Sequence, residues 1–293
     1  MRYAFIDQYR RQYRIRVMCR LLQVGVSSYY HWRSKSSARE ERTKHQGELV
    51  FLIRYVHSRS REIYGSPRIQ MEIRALGVVL TERRIAELMR QEGICGKPKK
   101  KKYRPGQKPA STAVGVVDLV RRRFIAHRPN ELWTGDITYI WTTEGWLYLA
   151  VVLDVFHRSI VGVAMSDRMT AALPVAALEQ AALHRLSARE EGTSLIIHND
   201  LGSQYRSERM QQVVERLGAR HSFSGKGSCY DNAITESFFH TLKTELIHER
   251  RYRTREEARK SIFEYIMIFY NQQRRHSALG YLSPAEFEAK SLT

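Results

Sequence analysis

Cysteine is scarce in this chain. Three occur, at Cys19, Cys95 and Cys229, far apart and odd in number. That argues against a disulfide framework and against a cysteine-rich zinc site, both of which need clustered pairs. Long apolar runs are missing as well. The longest, Trp146 to Leu153, has eight residues, whereas a membrane-spanning helix needs about 20. The N-terminus, with Met1-Arg2-Tyr3, Asp7 and Arg10-Arg11, has no apolar stretch of the kind a signal peptide requires. These absences point to a soluble intracellular protein, and a reducing cytosol fits them. What remains is ample: 293 residues, 43% of them apolar, enough to bury cores and to make roughly two domains.

Acidic residues are scarce in one half only. Residues 1–125 hold 29 Lys+Arg against 10 Asp+Glu, and residues 126–293 hold 20 of each. The whole surplus of +19 therefore lies in the first 125 residues. Such a segment attracts a polyanion, and phosphate contacts by Lys and Arg release counterions and make binding salt-sensitive. An RNA contact is the competing reading of charge alone.

The basic half carries two helix–turn–helix patterns. Tyr13 to Leu22 reads as a helix with Ile15, Val17, Leu21 and Leu22 apolar. Gly25 then turns the chain, and Ser27 or Ser28 is expected to cap a second helix through Tyr29, Tyr30 and Trp32. In the second pattern Ser66 is the expected cap before Pro67, with a helix ending near Leu76-Gly77. Thr81 caps the next, Glu82 to Glu92, stopped by Gly93. Arg83, Arg84 and Arg90 on that helix are where a recognition helix presents cations to a groove. An ordinary helical bundle has similar punctuation, and the charge favours the DNA reading. Residues 97–108, including Lys99, Lys100, Lys101 and Lys102, have no hydrophobic period and read as a linker that tracks phosphates.

From Leu132 the pattern changes to strands. Leu132–Trp141 and Trp146–Phe156 flank the turn Thr142-Thr143-Glu144-Gly145, and Ile160–Met165 makes a third antiparallel strand. A helix follows over 170–184, a short strand at 194–198, a helix at 207–217 and a strand at 219–223. A Gly-containing loop then leads to a helix opened by Asp231-Asn232 as cap residues. This order is that of an α/β, ribonuclease-H-like mixed-sheet domain, which composition alone does not distinguish from other α/β sandwiches. Asp136 lies inside the first strand, an expensive place for an uncompensated charge. Asp200 follows the fourth strand and Glu236 sits early in the last helix. In this fold the first and fourth strands are neighbours, so the three carboxylates are expected to converge. Hard oxygen ligands select Mg²⁺ or Mn²⁺, and two such ions clamp the two oxygens of a phosphodiester displacement.

The surrounding words are W-T-G-D-I-T-Y at 133–139, H-N-D-L-G-S-Q-Y at 198–205 and S-C-Y-D-N-A-I-T-E-S-F-F-H-T-L-K-T-E at 228–245, with 35 residues between Asp200 and Glu236. In these words the chain resembles DDE-type bacterial insertion-sequence transposases, specifically the second-reading-frame (OrfB) protein of the insertion-sequence-three family, whose core is distantly similar to retroviral integrases. The likeness runs from about Tyr13 to Glu288 and includes N-Q-Q-R-R-H-S-A-L-G-Y-L-S-P-A-E-F at 271–287. It departs at Asn199-Asp200-Leu201, where the family usually reads Ser-Asp-Arg. The resemblance implies that Asp136, Asp200 and Glu236 form a metal-binding catalytic triad for Mg²⁺, with Mn²⁺ as substitute. It places Lys243, two turns after Glu236, against a DNA end, with Asn232, Gln204 and Tyr205 along the DNA path. It implies cleavage of double-stranded DNA at the element's terminal repeats, joining of the exposed 3′-OH to target DNA, at least a dimer on DNA, and an upstream-frame (OrfA) protein as partner or fusion.

The expected organisation is a basic helix–turn–helix region at 1–96, a linker at 97–125, a catalytic core at 126–250 and a helical extension at 251–293. Other residues read as structure: Asp154 as a strand-end hydrogen-bond partner rather than a metal helper, His240 and His248 as exposed helix residues, Cys229 as a small buried residue. For His198 a water-orienting role and a structural one both stand. Phe263, Tyr265, Phe269 and Tyr270 read as core or subunit contact. A nuclease that cuts without joining, a non-enzymatic DNA-binding protein and an RNA-binding module are the competing functions.

Overall fold

The computed structural model describes residues 1–97, 117–121, 123–185, 194–224 and 232–291. Lys99 to Lys102, most of the expected linker, Cys229 and Asp231 lie outside them. The chain divides into two compact units between Gly96 and Lys97.

The first unit is helical. Helices α1 (Arg2–Tyr9), α2 (Ile15–Leu21) and α3 (Val26–Ser34) bury Ile6, Met18, Cys19 and Tyr29 together. The Tyr29 hydroxyl donates to Asp7 Oδ1 at 2.8 Å, which satisfies an otherwise buried phenol. The start of α3 differs from expectation. Gly25 is its N-cap and Ser27 and Ser28 lie inside the first turn, without a side-chain cap bond. Helix α4 (Ser36–Arg59) is 24 residues long. It packs with α5 (Ser66–Ala75) and α6 (Glu82–Gln91) around Ile53, Ile69, Ile73, Ile85 and Leu88. Gly65 rather than Ser66 is the cap of α5. Thr81 caps α6 as its sequence predicts, its hydroxyl accepting from the Arg84 amide. On α6, Arg83 and Arg90 face solvent, Arg83 pairing with Glu87 at 3.3 Å. Arg84 is half-buried, 3.5 Å from Gln46 Oε1 on α4 and 3.6 Å from Glu87.

The second unit is built on a five-stranded sheet. Strands β1 (Leu132–Thr142), β2 (Gly145–Asp154) and β3 (Ile160–Ser166) form an antiparallel meander, and β4 (Ile196–Asn199) and β5 (Arg220–Phe223) extend it in parallel, in the order β3-β2-β1-β4-β5. The β1–β2 hairpin is unbroken from Trp133↔Asp154 to Thr142↔Gly145, with Gly145 at φ +109° closing the turn. Alternation along β1 places Trp133 and Ile137 against α7 (Ala172–Arg185) and α8 (Glu208–Arg216), in a core with Val152, Leu178, Ile197 and Met210. Helix α7 lies so close to β3 that a Cβ on Gly162 would meet Ala177 O at 2.1 Å. Ser207 caps α8 by accepting from the Met210 amide.

The opposite face of β1 meets α9 (Ala233–Glu245), where Thr134 and Thr235 hydroxyls, both fully buried, hydrogen-bond at 2.7 Å. The C-terminal end of α9 is fixed by a buried ion pair. Glu245 accepts from Arg274 Nη2 at 2.6 Å, from Arg274 Nε at 2.8 Å and from the Tyr265 hydroxyl at 2.6 Å. Helix α10 (Arg255–Glu264) continues into a π-helical turn, Tyr265–Tyr270, and α11 (Pro284–Ser291) ends the described chain. Tyr265, Phe269 and Tyr270 are core residues, while Phe263 is exposed. No helix of the described residues is long and apolar enough to cross a membrane.

Candidate active site

Strand β4 ends at Asn199, level with Gly135 on β1. From Asp136 to Trp141 the described residues give β1 no strand partner on that side, and only an isolated bridge from Thr142 to Tyr252 follows, so Asp136 stands at an open edge. Three segments meet there. The Gly135 carbonyl accepts two amides at 3.1 Å each: Asn199 Nδ2, from the residue before Asp200, and Asn232 Nδ2, from the residue before α9. A side chain at 135 would collide with this arrangement, because its Cβ would lie 2.7 Å from Asn199 Nδ2. The Thr134–Thr235 bond, with one residue next to Gly135 and the other next to Glu236, anchors the start of α9 on the same strand.

Asn199 is oriented from behind as well. Its Oδ1 accepts from His221 Nε2 at 3.0 Å, the proton assigned to that nitrogen because the Asn amide already donates to Gly135. Burial, and then the nearby His198 ring, push the His221 pKa down to about 4, so this imidazole is neutral and a steady donor. Asp200 is exposed, its Oδ1 accepting from the Gly202 amide at 3.0 Å.

Asp136 carries the clearest electrostatic signature. Burial raises its carboxyl to about pKa 7, and repulsion from Asp200 and Glu236 adds to that; a bond from the Ile137 amide at 2.7 Å and the Lys243 ammonium act the other way. The three acids and Lys243 thus share one electrostatic neighbourhood. They are not drawn together to ligand distance: among the described residues no group of three His, Cys, Asp or Glu is spaced to hold a metal ion.

Other expected site residues fall differently. Tyr205 and Asn232 are buried, not on a surface path. Tyr205 packs in the core beneath Gly135, its hydroxyl without a hydrogen-bond partner and its pKa driven well above the ordinary phenol value by burial and by Asp136 and Asp200. Asn232 is the N-cap residue of α9, as expected, but makes no side-chain cap bond; its amide goes to Gly135, and its Oδ1 is buried without a partner. Gln204 is half-buried beside Asp200. Lys243 Nζ sits 5.0 Å from the Tyr139 ring centroid.

Asp154 is fully buried and accepts from the amides of Asn130 and Phe156 and from Trp133 Nε1, which occupies it structurally. His198 bonds Ser222 at 2.9 Å and stacks edge-on with Phe124. His248 is exposed and His240 half-buried. Gly135, Asn199, His221 and the Thr134–Thr235 pair escaped the sequence reading. For Gly135 and Thr134 the signal was present, since both stand inside the word around Asp136.

Residues 126–229 match the family described as "Integrase core domain", residues 236–292 match a second family of the same description, and residues 45–102 match an "HTH-like domain". The chain is 41% identical to "Transposase InsF for insertion sequence IS3A" of Escherichia coli (strain K12) over 299 aligned residues, covering 100% of both. It is 39% identical to "Insertion element IS600 uncharacterized 31 kDa protein" of Shigella sonnei over 273 residues, 93% of this chain and 98% of that one. Among solved structures, the simian T-cell lymphotropic virus intasome in complex with PP2A regulatory subunit B56 gamma aligns with 80% of this chain and 73% of that one, at 17% identity and TM-score 0.44.

Sheet order, acidic edge and family matches together define a DDE-type integrase core, the class of polynucleotidyl transferases. Within that class, the full-length identity settles the narrower assignment: the chain belongs to the family of insertion-sequence transposases of the IS3 type.

Proposed function

We propose that Asp136, Asp200 and Glu236 carry the transfer chemistry of this transposase and hold Mg²⁺, with Mn²⁺ as substitute, in a two-ion arrangement. The observation that supports this reading is Asp136 itself: a desolvated carboxylate raised to about pKa 7 beside two further acids is a donor set in need of positive charge. The donors are hard oxygens, and the buried, unpartnered Asn232 Oδ1 adds another at the same junction, so the residues fit a hard divalent cation. Such ions, when bound, supply Lewis-acid stabilisation of attacking and leaving oxygens.

The chain's own residues do the rest. Lys243 offers a phosphate an ammonium near Asp136. Gly135, Asn199 and Asn232 fix the three carboxylate-bearing segments to one oxygen. The Tyr205 hydroxyl keeps its proton and stays a neutral group under the site. The reaction is two phosphodiester exchanges. Water displaces a strand at the element's end and frees a 3′-OH; that 3′ oxygen then attacks a target phosphodiester and displaces its 3′ oxygen, so one phosphodiester replaces another. Double-stranded terminal repeats and target DNA are the substrates, gripped by the basic region at 1–96 through Arg83 and Arg90 and by the lysines at 99–102, in the bacterial cytosol. Joining two ends requires at least a dimer, with an upstream-frame (OrfA) protein or fusion as partner. The working division is 1–96, 97–125, 126–250 and 251–293.

The test is a joining assay on labelled duplexes from the DNA flanking the gene, with Mg²⁺ or Mn²⁺, comparing wild type with Glu236→Gln and following binding by gel shift. Joined products from wild type alone, with equal binding by both, are expected. Joining by the variant overturns the triad assignment, and cut but unjoined DNA from wild type overturns the transfer step.

A further inference from the structure

Strand alternation puts Tyr139 and Trp141 of β1 on one face, and the register Trp141↔Trp146 puts Trp146 of β2 on the same face directly opposite. The rings pack edge to face, with centroids 4.8 Å apart for Trp141–Trp146 and 5.0 Å apart for Tyr139–Trp146. Yet they are open to solvent: Tyr139 is 56% exposed, Trp141 60% and Trp146 42%. Helix α7 covers this face of the meander only further back, over Ala150, Val152 and Val161. Three exposed aromatic rings in mutual contact are costly to leave in water and mark a recognition surface.

Two observations say what the surface meets. The first is position. Tyr139 is three residues beyond Asp136 on the same strand, about 10 Å along it, and Trp141 about 17 Å; alternation turns their rings to the opposite face from Asp136, so the two are joined round the open edge of β1. Lys243 reaches past the open edge of β1 to set its ammonium 5.0 Å from the Tyr139 ring, and the same ammonium draws on Asp136. The second is rigidity. The hairpin tip is held by the Thr142 hydroxyl on Gly145 O at 2.7 Å, by the Thr143 amide on Tyr252 O at 3.0 Å and by Arg255 Nε on Trp146 O at 3.1 Å. The one carboxylate at the tip, among the described residues bonded to it, is Glu144, which already accepts from the Arg255 amide. A fixed aromatic surface joined to a cation, one to three nucleotide steps from a phosphate-processing site, has the makings of a base-stacking platform.

We propose that Tyr139, Trp141 and Trp146 stack unpaired bases of the DNA strand whose phosphate lies at the carboxylate cluster, so that the enzyme binds a frayed DNA end in preference to a fully paired one. This deepens the functional reading above and rests on it for the position of the reacting phosphate. Every base has a π-face, so the platform selects for an unpaired end, not for a sequence.

The experiment uses the full chain and two labelled duplexes from the element's end that differ only in whether the terminal two base pairs are matched or mismatched. Binding is measured with EDTA present, so that no chemistry intervenes. Wild type is expected to bind the mismatched end about tenfold more tightly. Trp141→Ala/Trp146→Ala is expected to lose that preference while binding the matched duplex as wild type does, and Trp141→Tyr to keep most of it. Asp136→Asn is expected to keep it fully. Equal affinities of wild type for the two ends, or a preference that survives Trp141→Ala/Trp146→Ala, overturns the proposal. If that same double variant changes only its oligomeric state by size exclusion, the patch is a contact between copies of this chain and the proposal also fails. Because the end preference is read without catalysis, it can fail while the Glu236→Gln joining assay succeeds, and the converse holds as well.

Discussion

The two ends of α9 treat a carboxylate in opposite ways. At the C-terminal end Glu245 is buried with both carboxylate oxygens engaged, by Nε and Nη2 of the Arg274 guanidinium and by the Tyr265 hydroxyl. At the N-terminal end Glu236 adds repulsion to Asp136, whose carboxyl is desolvated and raised toward neutrality. The first arrangement spends its charge on fixing a helix to the segment after the π-turn. The second gathers like charges at an open sheet edge, which costs stability and makes sense only where the charge is used. One helix therefore has a structural end and a reactive end, nine residues apart.

The largest effect is expected at the structural end. Arg274→Met leaves Glu245 buried and unpaired and should cost about 3–5 kcal/mol, read as a lower urea midpoint. Adding Glu245→Leu should restore most of that loss; if it does not, the pair contributes more than mutual neutralisation and the contrast between the ends is overstated.

Asp136→Asn should do the reverse. The folded-state pKa of about 7 lies above the ordinary 3.8, so the folded chain holds this proton more tightly than the unfolded chain. Ionisation then costs stability: the cost is absent below about pH 4, grows between pH 4 and 7 and is complete above 7. The full shift corresponds to about 4 kcal/mol, reduced to about 3 by solvent at the open edge. The asparagine variant, unfolded in urea with EDTA, should be more stable than wild type by that amount at pH 8 and equal to it near pH 4. A difference independent of pH would break the comparison.

Smaller effects sharpen it. Thr235→Val strands the buried Thr134 hydroxyl and should cost about 1–2 kcal/mol, with joining reduced at unchanged DNA binding; Thr134→Val/Thr235→Val should recover the stability but not the joining rate. Thr81→Ala, which removes a cap in the helical unit, should cost about 0.5–1 kcal/mol by thermal denaturation and leave transfer by bound enzyme unchanged.

Local chemistry was the legible part of this sequence. The meander of β1 to β3, the turn at Gly145 and the cap Thr81 follow from alternation and short-range hydrogen bonding, which the chain displays within a few residues. Helices α1 and α4 were not legible, because their exposed stretches carry no sustained apolar stripe. Ser27, Ser28 and Ser66 look like caps in sequence, yet glycine one or more residues earlier takes the role in both places. Within the site, the words around Asp136, Asp200 and Glu236 marked which residues gather. They could not tell which side of the strand each neighbour occupies. The resemblance places Tyr205 and Asn232 along the DNA path, whereas their partners are the core and the Gly135 carbonyl. Such partners lie 64 and 97 residues from Gly135 for Asn199 and Asn232, beyond the reach of any local pattern.

That carbonyl has one more consequence. Two side chains answer to a main-chain oxygen, an atom every sequence encodes and no point mutation removes. Sequence drift can therefore exchange Asn199 or Asn232 one at a time while the other still holds its segment to β1. The geometry of the reactive edge is inherited through the backbone, and Gly135, whose lack of a side chain keeps that oxygen reachable, is the position where drift should be least tolerated.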